Sequence, residues 1–127
     1  MRFERKFTNE GQSAYASLEF RQATSEIRNP DGSVVFKLEN IQVPAQFSQV
    51  AADILAQKYF RKAGVPARLK KVEENSVPSF LWRSVADEAA LAALPEKERY
   101  GSEMDGRQVF DRLAGTWTYW GWKGGYF

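Results

Sequence analysis

The stretch Ser25-Glu-Ile-Arg-Asn-Pro-Asp-Gly-Ser-Val-Val-Phe-Lys37 decides how the early part of the chain is read. At its centre, Asn29-Pro30-Asp31-Gly32 carries the chemistry of a turn. The proline ring presets φ, the aspartate side chain bonds its own turn backbone, and the glycine accepts the positive φ that closes it. After the turn, Val34, Phe36 and Leu38 share one face of an extended run, with Val35 and Lys37 on the other. Ile41 and Val43 continue the run, and Pro44 ends it. The expectation is an antiparallel hairpin near residues 18–43, with 25–43 as its defined part. Upstream, Phe3, Phe7, Tyr15, Leu18, Phe20 and Ile27 are scattered among polar residues, the pattern of an extended arm over 1–24 laid against something larger.

Past the hairpin the period changes. Ser48 is placed to cap a helix running to about Ala63, in which Val50, Ile54, Leu55, Tyr59 and Phe60 recur at helical spacing, with Gly64 as the stop. Its apolar residues wrap past one stripe, which predicts contact with two partners or a central place in a bundle. Pro66 then suits the first turn of a shorter helix, with Leu69 and Val72 on one side and Arg68, Lys70 and Lys71 on the other. The Ala-rich acidic stretch from Asp87 to Leu94 reads as a helix closed by Pro95, and Glu96 to Gly106 as a loop. From Arg107, Val109, Phe110, Leu113, Ala114 and Trp117 give a last helix over 107–120. The expected fold is therefore α+β and mainly helical, one segment with a small hairpin near its N-terminus and a helical part over 44–127.

Composition narrows the chemistry. The chain has 127 residues, with 18 Lys+Arg against 16 Asp+Glu, no cysteine and no histidine. Without cysteine there is no disulfide, thiolate metal site, iron–sulfur cluster or thiol nucleophile. Without histidine the usual general base near neutral pH and the commonest nitrogen ligand are missing. A net charge of +2 gives no whole-molecule argument for nucleic acid or an anionic membrane. No apolar run suggests a membrane span or secretory signal, so a cytoplasmic protein is expected.

Four features invite a functional reading. Lys58, Arg61, Lys62, Arg68, Lys70 and Lys71 form an acid-free basic stretch around Tyr59 and Phe60, which would serve phosphate contacts and base stacking. Tyr59 and Phe60 also continue the helix's apolar pattern, and that favours packing and a solvated or partner-facing basic flank. The acid pairs Glu73-Glu74, Asp87-Glu88 and Glu96/Glu98 have the residue types for acid–base work or a hard cation, but adjacent acids in polar surroundings are normally solvated. Gly121, Gly124 and Gly125 around Lys123 match neither phosphate-loop spacing. No catalytic, cofactor-binding or metal residue is therefore assigned. The fourth feature is the end of the chain, where Trp117, Tyr119, Trp120, Trp122, Tyr126 and Phe127 crowd into eleven residues. Such a cluster serves as a stacking platform, an interfacial membrane anchor or half of a packed interface. Exposed rings after Gly124-Gly125 favour the interface, and the chain reads as cut short, with self-association as a further expectation.

Three long stretches carry a resemblance: Ser25 to Lys37, quoted above; Ser48-Gln-Val-Ala-Ala-Asp-Ile-Leu-Ala-Gln-Lys-Tyr-Phe-Arg-Lys-Ala-Gly-Val-Pro66; and Gln108-Val-Phe-Asp-Arg-Leu-Ala-Gly-Thr-Trp-Thr-Tyr-Trp-Gly-Trp-Lys-Gly-Gly-Tyr-Phe127. Together with Met1-Arg-Phe-Glu-Arg-Lys-Phe-Thr8 they resemble the amino-terminal region of bacterial class II, adenosylcobalamin-dependent ribonucleotide reductases. The resemblance implies a non-catalytic leading segment of a ribonucleoside-diphosphate reductase that supplies deoxyribonucleotides for DNA replication. In that family the cofactor generates a thiyl radical in an α/β barrel that follows this region, and cysteines reduce the ribose. It implies that this segment binds no cofactor, is inactive alone, and has the catalytic barrel as its partner. The six terminal aromatics are then the expected interface with that barrel. No ATP-binding regulatory cone is recognised near the start, so nucleotide regulation is not expected. The competing reading is an independent nucleotide or single-stranded nucleic-acid binding module built on the basic helix and the terminal aromatics.

Overall fold

A computed structural model describes residues 2–127. The chain divides into two compact units. One holds the residues up to Phe60 together with Met104–Val109, and the other holds Arg61–Glu103 together with Phe110–Phe127.

The first unit is built on the hairpin. Strands β1 (Phe20–Arg28) and β2 (Val34–Pro44) pair antiparallel, with Phe20 opposite Pro44 and Ile27 opposite Phe36. The turn forms through the expected residues: Gly32 has φ +90°, and Asp31 Oδ1 accepts from the Ser33 backbone N–H at 2.8 Å. The Ser33 hydroxyl and N–H hold the Asp31 carboxyl below its ordinary pKa. The register shifts between Ala23 and Ser25, opposite Asn40, which has φ +57°. Asparagine tolerates this left-handed conformation better than most side chains, so the irregularity is written into the sequence. Ala23, Ile41 and Val43 are buried, as are Ala52, Leu55, Ala56, Phe60 and Val109.

Helix α1 (Gln49–Ile54) begins as expected, with Ser48 Oγ accepting from the Ala51 N–H. It does not run to Ala63. A π-helical turn over Leu55–Tyr59 follows, Phe60 N–H reaches back to Leu55 O, and Phe60 itself is extended. The widened turn lets the chain leave the helix early, so Gly64, with φ +76°, sits in the loop beyond. A polar row on α1 holds β1. Ser25, fully buried, donates to Asp53 Oδ1 at 2.8 Å and accepts from Gln57 Nε2 at 3.0 Å, while Gln49 Nε2 donates to Thr24 O and Asp53 Oδ1. Val50 and Ile54 remain 69% and 52% exposed.

The second unit overturns the mainly helical expectation. Strand β3 (Val65–Pro66) pairs with β6 (Tyr100–Gly101), and β4 (Leu69–Lys71) with β5 (Ser84–Ala86), all antiparallel. The described residues are 33% helical and 25% strand, in several small antiparallel sheets. The helix expected after Pro66 is strand β4. A helix that short is marginal in water, and here the backbone groups find partners in a distant segment, from Arg68 O to Asp87 N and from Arg83 O to Val72 N. The expected loop over 96–106 contains a short helix, α3 (Glu96–Arg99), and strand β6. The Ala-rich helix does form as α2 (Glu88–Ala92), with Asp87 Oδ1 accepting from Ala90 N–H and Leu91 buried.

Helix α4 (Gly106–Lys123) is the longest element and extends three residues past its expected end. Its start is a capping box: Asp105 Oδ1 accepts from Arg107 N–H, and Gln108 Oε1 accepts from Asp105 N–H. Its end is a Schellman turn, in which Tyr126 N–H bonds Gly121 O, Gly125 N–H bonds Trp122 O, and Gly125 takes φ +76°.

Candidate docking face on helix α4

At 3.6 residues per turn, Phe110, Leu113, Trp117 and Trp120 share one face of α4, and Arg112, Tyr119 and Lys123 share the opposite one. An amphipathic helix ordinarily turns its apolar face inward. Here the first turns do so, with Val109 1% exposed and Phe110 and Leu113 half-buried, and side chains of the polar face are bonded as well. Tyr119 Oη bonds the Glu74 carboxylate at 2.8 Å and 3.0 Å, with Lys123 Nζ 3.6 Å from the same group. Arg112 grips Glu103 with two nitrogens, at 3.0 Å and 3.2 Å. Farther along the same apolar face, Trp117 and Trp120 are left 63% and 64% exposed.

Glu103 is the electrostatic anchor of this arrangement. Its side chain is fully buried, and besides Arg112 it accepts from the Arg61 backbone N–H at 2.7 Å and lies 3.4 Å from the Arg61 guanidinium. Burial pushes its pKa up. The Arg112 and Arg61 hydrogen bonds and the two positive charges outweigh that push and hold the carboxyl below its ordinary range.

The expected interface residues are thus placed unequally. Trp117 and Trp120 point outward. Tyr126 and Phe127 are 66% and 51% exposed on the segment folded back past the Schellman turn, with the Phe127 ring so close to Gly121 that a Cβ there would stand 2.6 Å from it. Tyr119 and Trp122 are tied within the unit, Tyr119 to Glu74 and Trp122 Nε1 to Ser76 O at 2.7 Å. The glycines around Lys123 therefore terminate a helix. Hydrogen-bonding partners 45 residues apart, such as Glu74 and Tyr119, leave no mark in local sequence.

The other candidates do not assemble. Phe60 is buried, so the stacking pair with Tyr59 is not formed. Arg61 is turned to Glu103, and Lys71 Nζ donates to Trp82 O. Of the acid pairs, Glu74 is bonded to Tyr119 and Asp87 caps α2. Among the described residues, no three His, Cys, Asp or Glu side chains gather to hold a metal ion. No described helix is long and apolar enough to cross a membrane.

Residues 21–127 match the family described as class II vitamin B12-dependent ribonucleotide reductase, at its amino-terminal domain. The chain belongs to that family. Two relatives named vitamin B12-dependent ribonucleotide reductase are similar over all 127 residues, that of Agrobacterium fabrum at 79% identity and that of Bradyrhizobium diazoefficiens at 75%. In each case the chain covers 100% of itself and 10% of the relative, so it spans about a tenth of their length. The expectation drawn from the three quoted stretches thus holds at the level of the family. The relatives are B12-dependent oxidoreductases by name. This reductase domain has no histidine and no gathered ligand set among its described residues, so no step of cobalamin chemistry is assigned to its side chains.

Proposed function

We propose that this amino-terminal reductase domain is a non-catalytic packing element, and that the outward face of α4 docks on the remainder of a reductase polypeptide, where the radical chemistry is done. The observation that carries the reading is the exposed pair in the later turns of α4: Arg112 and Tyr119 on the opposite face are bonded to Glu103 and Glu74, and Trp117 and Trp120 are left in water.

On this reading the domain alone is inactive, the full reductase acts on ribonucleoside diphosphates in the cytoplasm, and adenosylcobalamin is bound outside this segment. The test uses the Agrobacterium relative lacking the tenth of its length that this chain matches. Adding the 127-residue chain in trans should restore cobalamin-dependent deoxyribonucleotide formation, and a Trp117→Ala/Trp120→Ala chain should restore far less. If two well-folded pieces neither associate nor recover activity, the reading fails. The nucleotide-binding alternative gains no support: Phe60 is buried, Arg61 is turned to Glu103 and Lys71 donates to Trp82 O.

A further inference from the structure

The docking reading leaves open what the partner surface must supply, and the indole N–H groups answer it. The chain has four tryptophans. Trp82 Nε1 donates to Val77 O at 2.9 Å and Glu74 O at 3.2 Å, and Trp122 Nε1 donates to Ser76 O at 2.7 Å. Both of these donors are bonded within the chain. Trp117 and Trp120 sit three residues apart, more than half exposed, and among the described residues neither indole N–H has a hydrogen-bond partner. A buried indole N–H without an acceptor costs more than its ring gains from part of its contact area, which is why tryptophans in contacts almost always find one.

Resting on the docking reading, we infer that the surface covering α4 is an apolar groove that also carries hydrogen-bond acceptors, backbone carbonyl or carboxylate oxygens, opposite the indoles of Trp117 and Trp120. The occupant is the remainder of the reductase polypeptide, because this chain matches its relatives over its whole length but spans only 10% of theirs. The two tryptophans are then directional contacts that set the docking register. Such a face discriminates against a purely hydrocarbon surface, which would strip both donors of water and return nothing.

The experiment follows the four indole N–H resonances of the ¹⁵N-labelled chain, alone and with the truncated Agrobacterium relative. In the free chain Trp82 and Trp122 should exchange slowly with solvent and Trp117 and Trp120 quickly. In the complex Trp117 and Trp120 should shift downfield and become protected while the other two stay in place. Replacing each outward tryptophan with benzothienylalanine, which has sulfur in place of the N–H at nearly constant area, should weaken association roughly three- to tenfold. If Trp117→Ala/Trp120→Ala weakens association but the sulfur isostere does not, docking stands and the acceptor inference is overturned. If the alanine variant also binds unchanged, the docking reading itself has failed. If the two indoles shift in the free chain as its concentration rises, the occupant is a second copy, and the proposed partner is wrong.

Discussion

Glu103 shows how one side chain can outweigh its own intrinsic preference. A lone carboxylate at a fully buried position would be protonated or expelled, yet here two arginines and a backbone N–H keep it ionised. The sign of its linkage follows. A carboxyl whose folded pKa lies below the unfolded value contributes stability above the unfolded value, and that contribution is lost as pH falls through the folded one. Acid titration should therefore weaken the second unit progressively below about pH 4.5, the unfolded reference for glutamate. Urea unfolding followed across that range checks it, and a Glu103→Gln chain should show a flatter profile there. Arg112→Ala should be the harsher change, destabilising by about 3 kcal/mol or more, because it leaves a buried carboxylate short of its main partner. An Arg112→Ala chain as stable as the parent would mean that Glu103 is solvated.

At the scale of elements, helix ends were legible because their signals are local. Ser48 caps α1 as read from sequence, while the structure adds Asp87 as the cap of α2 and Asp105 with Gln108 at the start of α4. Ser48→Ala should cost about 1 kcal/mol. Gly125→Ala should cost a similar amount by forcing a Cβ into the left-handed region, about 1 kcal/mol, and should raise amide exchange in the last turn of α4 with little effect on its first. Where elements were misjudged, the deciding groups are far apart in sequence. Leu69 to Lys71 is a strand because Ser84 to Ala86 lies beside it, and Val65-Pro66 because Tyr100-Gly101 does. The π turn at Leu55–Tyr59 ended α1 before Gly64, and the glycine, although in the conformation a helix stop requires, is not one.

For the whole chain, the informative quantity is how much apolar surface stays in water. Among the described residues, more large apolar side chains are exposed than buried, and they include Val50 and Ile54 on α1 as well as the tryptophans of α4. Both helices bury some apolar residues, Ala52 on α1 and Val109 on α4, and leave others uncovered. Exposed rings contribute little to the stability of the piece that carries them. Trp117→Ser/Trp120→Ser should therefore change the chain's own unfolding free energy by no more than about 0.5 kcal/mol, while lowering its binding of an apolar fluorescent dye. Calorimetry and dye titration on one preparation check both. A large loss of stability would show that the stripe packs within the chain and is not an outward face.

The sequence by itself determined the hairpin and its turn, the Ser48 cap and the α4 segment, because turn chemistry, caps and the 3.6-residue period act within a few positions of one another. Three long stretches also carried the family. Only the tertiary structure decided that the second unit is laced by short antiparallel pairs, since each strand needs a partner that no local pattern names. It alone divided the terminal aromatics, tying Tyr119 and Trp122 to Glu74 and Ser76 and leaving Trp117 and Trp120 outside. The physical reason is the same in both cases. Amphipathicity gives a helix an apolar face, but how far along the helix that face is covered depends on the groups that meet it, and here the cover reaches Val109, Phe110 and Leu113 and stops short of Trp117 and Trp120.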